Sequence, residues 1–420
     1  MEMKQYNELA SQLFEAIYHL SFDGVGVSRA SFSEKETEIG KYLQRFAANE
    51  GIATYIDAGA NFVFHLNDTD NRKAVWLGSH LDSVPQGGNF DGLAGVIAGL
   101  LILVICKREN IHLPVPLKVI GLRGEESAWF GKAYMGSSAL FGLLSHDDLQ
   151  LVNRASGKTL SESFRDVGAD ISSISQRQPL VNKALIQAWL EVHIEQGPLL
   201  VREEKPVGIV SGIRGNIRHN KVDCFGSAQH SGAVPRELRH DAVCSVSELV
   251  VQLDHDWEEY LKNGHDLVVT SGIFQTLPEE HATTRISGHV NFSLEARSCD
   301  VKTLDSFYQS IVEKCHQIEQ ERGVKFIFDR CLTSPPALMN KSIINKLSES
   351  CLKQSIPYIE MASGAGHDSA IFSTQGIPSG MVFIRNRNGS HNPNEEMEID
   401  DFLQAVDVIL FMLKDWQYDG

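Results

Sequence analysis

Positive charge is scarce in this 420-residue chain: 38 Lys and Arg stand against 54 Asp and Glu, a formal net charge of -16. Proteins whose main business is the phosphate backbone carry a basic stripe, so nucleic acid is excluded as the expected partner. Long apolar runs are also missing. The longest, Val96 to Cys106, falls well short of the roughly 20 residues that span a bilayer, so a buried helix is expected there and no membrane span. The opening MEMKQYNELASQLFEAIYHL spaces its apolar side chains as an amphipathic helix and lacks the continuous apolar core of an export signal. The 7 cysteines include no C-x-x-C pair and are odd in number, which fits a reducing cytoplasm. There is no G-x-S-x-G for a serine nucleophile, no G-x-G-x-x-G for a dinucleotide, no internal repeat and no Gly/Ser-rich linker.

What is present is alternation of strand-like and helical patterns, the mark of an α/β fold. Ala74 to Ser79 reads as strand, Leu93 to Lys107 as helix, Val115 to Leu122 and Ala184 to Val192 as strands, and Val207 to Val210 as a further short strand. The character changes near Gly212. Lys221 to Phe225, a helix over Asp241 to Leu261, strands near Leu267 and Val290 and a helix over Leu304 to Glu321 follow a β-α-β-β-α-β order, predicting a ferredoxin-like insert. After Asp329 the first pattern resumes, with Ser342 to Lys353 and Asp400 to Leu413 helical and Gly380 to Ile384 a strand. The expectation is therefore a catalytic domain of residues 1–211 and 329–420 interrupted by a second domain of residues 212–328.

The densest chemistry is Gly78-Ser79-His80-Leu81-Asp82-Ser83-Val84-Pro85, followed by Gly87-Gly88-Asn89-Phe90-Asp91-Gly92. Side chains alternate along a strand, so His80 and Asp82 share a side, and Asp82 can hold the ring nitrogen that His80 does not give to a metal. The glycines permit a tight turn that returns Asp91 to a helix start, where a carboxylate is favoured and could bridge two metals. Glu125 and Glu126 follow a strand, and adjacent acids at a strand end point apart, so one can bind metal while the other transfers a proton. His193 lies in an apolar strand and His391 in Gly389-Ser390-His391-Asn392-Pro393-Asn394-Glu395. Any one of these residues alone reads more readily as a capping, packed or solvated group than as a ligand. Taken together they form the N/O ligand set of zinc, manganese, cobalt or nickel.

These blocks, in this order, resemble the hydantoinase/carbamoylase branch of the M20 metallo-amidohydrolase family. The resemblance covers nearly the whole chain through GSHLDSVPQGGNFDG, GEES, EVHIEQGP, AQHSG, SGAGHD and GSHNPNE. It implies a mixed-sheet catalytic domain with a binuclear metal site and a ferredoxin-like lid that also forms a homodimer. His80, Asp91 and His193 would hold one divalent ion, and Asp91, Glu126 and His391 the other, with Glu125 as general base. His230 matches a lid histidine that would stabilise the tetrahedral oxyanion. Arg218 and Arg297 match positions that grip a substrate carboxylate, a task suited to guanidinium, so a small anionic substrate is implied. Gln196 is a further contact by resemblance. The relatives act on ureido acids: N-carbamoyl amino acids, ureidopropionate and allantoate.

The chain departs from the branch around the substrate. Thr284, in His281-Ala282-Thr283-Thr284-Arg285-Ile286-Ser287-Gly288, stands where an Asn is usual and offers one donor where an amide offers two. Ser231-Gly232-Ala233-Val234-Pro235 replaces an Ala-Gly-Thr-Thr-Pro pattern, and Ser127-Ala128-Trp129 replaces Gly-x-Arg. Arg385 and Arg387 either add charge near the cleft or are solvated. A peptidase or N-acyl amino-acid hydrolase using the same ligands is the alternative activity, and a non-catalytic binding relative the third reading.

Overall fold

Short runs rich in β-branched and aromatic residues, broken by turns, become the strands of a mixed sheet. The computed structural model describes residues 3–66 and 72–417. The chain lays down β1 (Ala53–Ile56), β2 (Phe62–His65), β3 (Ala74–His80), β4 (Leu117–Leu122), β5 (Ile186–Ile194) and β6 (Val207–Ile213), and later adds Ala337–Leu338, Tyr358–Ser363 and Ser379–Ile384. Among the described residues these make a nine-stranded sheet. Its centre is parallel: β3 pairs with β4 and β5, and β5 with Ser379–Ile384. The edges are antiparallel, through β2 on β4 and β6 on Ser379–Ile384.

Every residue of β3 and β4 is buried, as expected of parallel strands covered on both faces. β4 starts at Leu117, not Val115, because Pro116 has no N–H for the ladder. β5 starts at Ile186, not Ala184, because Lys183–Leu185 forms a 3-10 turn. Three longer helices precede β4: α1 (Asn7–Ser21), α2 (Glu34–Asn49) and α3 (Leu93–Arg108). The apolar run noted in the sequence is α3, buried from Leu93 to Cys106. Gly95 lets it lie against the sheet, since a Cβ there would stand 2.1 Å from the Val192 carbonyl oxygen. No helix among the described residues is long and apolar enough to cross a membrane.

Contacts divide the chain into two units, Met1–Ser211 with Leu338–Gly420, and Gly212–Ala337. In the second, β7 (Gly215–Phe225), β8 (Gln229–His230), α4 (Ala242–Lys262), β9 (Val268–Thr270), β10 (Phe274–Thr276), β11 (Arg285–Ile286), β12 (His289–Ser298), α5 (Val301–Arg322), β13 (Lys325–Phe328) and β14 (Leu332–Ser334) follow in order. The sheet runs β10-β12-β7-β13, all antiparallel, with α4 and α5 closing one face, which is the ferredoxin-like arrangement. Asp241 and Asp300 cap the two helices by accepting N–H groups of their first turns. This unit extends past Asp329 to Ala337 because β14 continues the pairing with β7, Leu332 opposite Arg218.

Candidate metal centre

Parallel neighbouring strands deliver their C-terminal ends to one edge of the sheet, and loops there gather side chains far apart in sequence. His80 ends β3, Glu125 and Glu126 follow β4, His193 is the penultimate residue of β5, and His391 lies beyond Ser379–Ile384. Asp91 arrives just before α3, and the next residue, Gly92, takes φ +68 at the helix start, where a Cβ would press to 2.4 Å from the His80 ring.

Two buried imidazoles are oriented by backbone carbonyls. His80 Nδ1 is 3.0 Å from the Asp82 carbonyl and His193 Nδ1 is 2.8 Å from that of Ile194. Each carbonyl selects the Nδ1–H tautomer and leaves Nε2 to face the centre. There His193 Nε2 is 3.0 Å and His80 Nε2 3.6 Å from Asp91 Oδ1. The other Asp91 oxygen, Oδ2, lies 3.2 Å from His391 Nε2, which is in turn 3.5 Å from Glu126 Oε1. Among the described residues three overlapping groups could hold an ion: His80, Asp91 and His193; Asp91, Glu126 and His391; and His80, Glu125 and Glu126, with ligand atoms within 4.8 Å of one another in each. Glu126 Oε1 is buried without a hydrogen-bond partner, as fits an oxygen that would bind a cation. The donor set, imidazole nitrogens and carboxylate oxygens, fits a borderline divalent metal.

Burial acts against every charge here. It raises the Glu125 carboxyl well above its ordinary value, opposed by His80, and raises Glu126 to about 7 with help from the Asp91 charge. Burial opposes the Asp91 charge as well, yet contacts with His193, His391 and His80 hold that carboxyl well below the usual range. His391 is lifted to about 9, first by its hydrogen bond to Asp91. His391 at φ +59 and Gln196 at φ +64 both occupy the left-handed region without being glycine, a costly conformation that tends to cluster at functional sites.

Gln196 joins this group: its Nε2 donates to Asp91 Oδ2 at 2.9 Å and lies 3.4 Å from His391 Nε2. Asp82 is buried beside His80, but its carboxylate Oδ1 stands 3.4 Å from Nδ1, farther than its own carbonyl. The carboxylate instead accepts the Glu125 and Glu126 N–H groups and the Ser31 hydroxyl. Arg385 and Arg387 are ion-pair members, with Arg385 bidentate to Asp401 at 2.7 and 2.9 Å and Arg387 2.7 Å from Glu398.

The remaining candidates belong to the Gly212–Ala337 unit. His230 and Arg285 face each other across β8 and β11, and the Ser231 N–H donates to the Thr284 carbonyl. Arg218 is exposed on β7 opposite Glu295, and Arg297 pairs with Glu295 at 3.0 Å.

Several supporting groups escaped the sequence reading. Glu395 accepts the N–H groups of Phe90 and Asp91, and the Ser390 hydroxyl lies 2.7 Å from Asp91 Oδ2 and 2.5 Å from Glu395 Oε2, so the loop bearing His391 also fixes Asp91. Both residues lie inside GSHNPNE, and an acid four residues after a ligand was the available signal. Arg29, fully buried, donates to the Leu81 carbonyl and Asn89 Oδ1, tying together the loop between His80 and Asp91. His367 packs edge-on against His193 at 4.4 Å, and Asp368 beside it accepts from Ser137. Only the SGAGHD block hinted at these.

The family model described as peptidase family M20/M25/M40 matches residues 76–415. The N-carbamoyl-L-amino-acid amidohydrolase of Pseudomonas sp. strain NS671 is 30% identical over 386 residues, 91% of this chain and 92% of the relative. The allantoate amidohydrolase of Escherichia coli strain K12 is 30% identical over 390 residues, 92% of each. A solved hydantoinase/carbamoylase family amidase from Burkholderia ambifaria superposes with a TM-score of 0.85 at 25% identity, covering 97% of this chain and 96% of that one. Histidines and acids converging at the strand ends, within a chain matched over nine-tenths of its length, leave one assignment: the protein belongs to peptidase family M20/M25/M40, in its hydantoinase/carbamoylase branch.

Proposed function

We propose that this protein is a metal-dependent amidohydrolase that cuts linear C–N bonds other than peptide bonds in small carboxylated ureido acids, such as N-carbamoyl amino acids or allantoate. The observation that carries the reading is Asp91, which offers one oxygen to His80 and His193 and the other to His391. The relatives named for those two substrate classes, similar over nine-tenths of this chain, support it.

His80, Asp91 and His193 would hold one divalent ion and Asp91, Glu126 and His391 a second, zinc or manganese first, cobalt or nickel as alternatives. Such ions supply polarisation of the scissile carbonyl and a water acidic enough to attack near neutral pH. Glu125, 3.9 Å from His80 Nε2, would serve as the general base, accepting a proton from the attacking water and delivering it to the departing nitrogen. From an N-carbamoyl amino acid the products are the free amino acid and carbamate, which breaks down to ammonia and carbon dioxide. His230 donates to the oxyanion of the tetrahedral intermediate, and Arg218 and Arg297 bind the substrate carboxylate. Gln196 and Thr284 contact the remaining polar groups, and Thr284, a shorter donor than Asn, tunes which ureido acid is accepted. By the family resemblance the Gly212–Ala337 unit also forms the homodimer and acts as a lid.

The test is ammonia and amine release after separate reconstitution with manganese and zinc, across N-carbamoyl amino acids, allantoate, ureidopropionate, N-acyl amino acids and dipeptides. Turnover of a ureido class is expected. Turnover confined to acyl amides or dipeptides would replace this reading with the peptidase alternative.

A further inference from the structure

β7 changes the face it presents to the helices partway along its length. Val222 and Cys224 belong to the core that β7 shares with α4 and α5, and so, one step out of phase, do Ile217 and the ring of His219. On the neighbouring β12 the alternation is unbroken, with Val290, Phe292, Leu294 and Ala296 all inward. The register accounts for the difference: Phe292 pairs with Val222 but Leu294 pairs with His219, so β7 carries one residue more than β12 in that interval. This is a β-bulge at Asn220 and Lys221. Such a bulge re-aims every side chain beyond it. Without it Arg218, an even-numbered neighbour of Val222 and Cys224, would face the helix-covered core. With it Arg218 stands exposed on the open face, opposite Glu295, with Arg297 opposite Asn216 on the same pair of strands.

One carboxylate spans the bulge. Asp329 Oδ1 lies 2.9 Å from His219 Nδ1, and Oδ2 accepts the Lys221 N–H at 3.1 Å. The Asp329 N–H returns a bond to the Lys221 carbonyl at 3.1 Å. His219, 2% exposed, is held on its other side by the Tyr308 hydroxyl at 2.9 Å, with the two rings stacked 5.7 Å apart. A buried imidazole with both nitrogens engaged is stiff, and the residues on either side of Asn220 are thereby pinned to one acid.

We infer that Asp329 and His219 are positioning residues that hold the β7 bulge and thereby present Arg218 on the open face of the sheet as a specificity-determining cation for the substrate carboxylate. The last clause rests on the proposed function; the orientation of Arg218 does not.

Two measurements separate these parts. In the first, Arg218→Cys is labelled with a thiol reagent in the native protein, with and without His219→Phe or deletion of Asn220, each against the same background lacking the new cysteine. Phenylalanine keeps the aromatic contact and removes both hydrogen bonds; the deletion restores continuous alternation. Slower labelling at position 218 is expected with His219→Phe, and wild-type labelling with the deletion, since Ile217, His219, Val222 and Cys224 then alternate inward and position 218 stays outward. Wild-type labelling with His219→Phe overturns the bulge account. In the second, His219→Phe, Asp329→Ala and Arg218→Ala are assayed on whichever ureido acid the wild type turns over. All three should raise KM by roughly tenfold to a hundredfold, the loss expected for a charge-assisted pair, with kcat little changed. Asp329→Asn, which can still bridge, should recover part of it, and the Arg218→Ala/His219→Phe pair should be no worse than Arg218→Ala alone. A KM rise for Arg218→Ala without one for His219→Phe overturns the positioning role. Wild-type protein that loads metal but turns over no ureido acid would overturn the proposed function, leaving the labelling result to decide the bulge.

Discussion

Asp82 Oδ1 accepts the backbone N–H of Glu125 at 3.0 Å, and Asp82 Oδ2 accepts that of Glu126 at 3.1 Å. A single buried carboxylate thus ties the end of β3 to both acids that follow β4, while its own carbonyl orients His80.

Asp82→Asn keeps the shape but turns an amide NH2 toward one of the two N–H groups, leaving a donor facing a donor in a buried site. The expected outcome is a loss of roughly tenfold to a hundredfold in metal affinity or kcat, the usual range for groups that orient ligands. Metal titration and steady-state kinetics on the same preparation would check it; values within twofold of wild type would show that the glutamates hold their positions unaided.

Glu125→Gln removes the proton acceptor with almost no change in volume. Metal content should stay at the wild-type level while kcat falls by about 10²–10⁴-fold, the range attributed to a positioned acid or base. Loss of metal along with activity would instead make Glu125 a ligand, in line with the His80, Glu125 and Glu126 grouping.

Arg385→Ala breaks a bidentate pair with the buried Asp401. Stability in a urea titration should drop by about 1–3 kcal/mol, the cost of stranding a buried hydrogen-bonded charge. KM should not move. A KM effect without a stability effect would return Arg385 to the substrate.

Cysteine chemistry offers a check away from the centre. Burial pushes the Cys106 thiol up to about 11 and those of Cys224, Cys315 and Cys351 to about 12. Below those values the groups stay as unreactive thiols, so at pH 8 a disulfide reagent should leave all four silent in the native protein and find them after unfolding. Cys244, exposed on α4, should react in the native state. Prompt native reaction of Cys224 or Cys351 would contradict the packing described.

The alternation of strands and helices and the ferredoxin-like second unit were legible because hydrophobic period reports local structure. His80, Glu126 and His193 could be singled out because each sits at or just after a strand end, and Asp91 and His391 because each comes shortly after a glycine in a polar loop. Bonds between distant segments were not legible: nothing local to Asp82 says that its oxygens meet residues 125 and 126, or that Arg385 meets Asp401. The β7 bulge was hidden for another reason. One added residue shifts the phase of a strand without altering its composition, and only the pairing partner reveals it.

Metal stoichiometry of the fully reconstituted protein, measured beside Asp91→Ala, reads out whether Asp91 is shared between two ions. Among the described residues, Asp91 is the carboxylate whose two oxygens reach both histidine groups. Two ions per chain are expected in the wild type, with loss of more than one in the variant. Saturation at a single ion, or a variant that keeps both, would contradict that sharing.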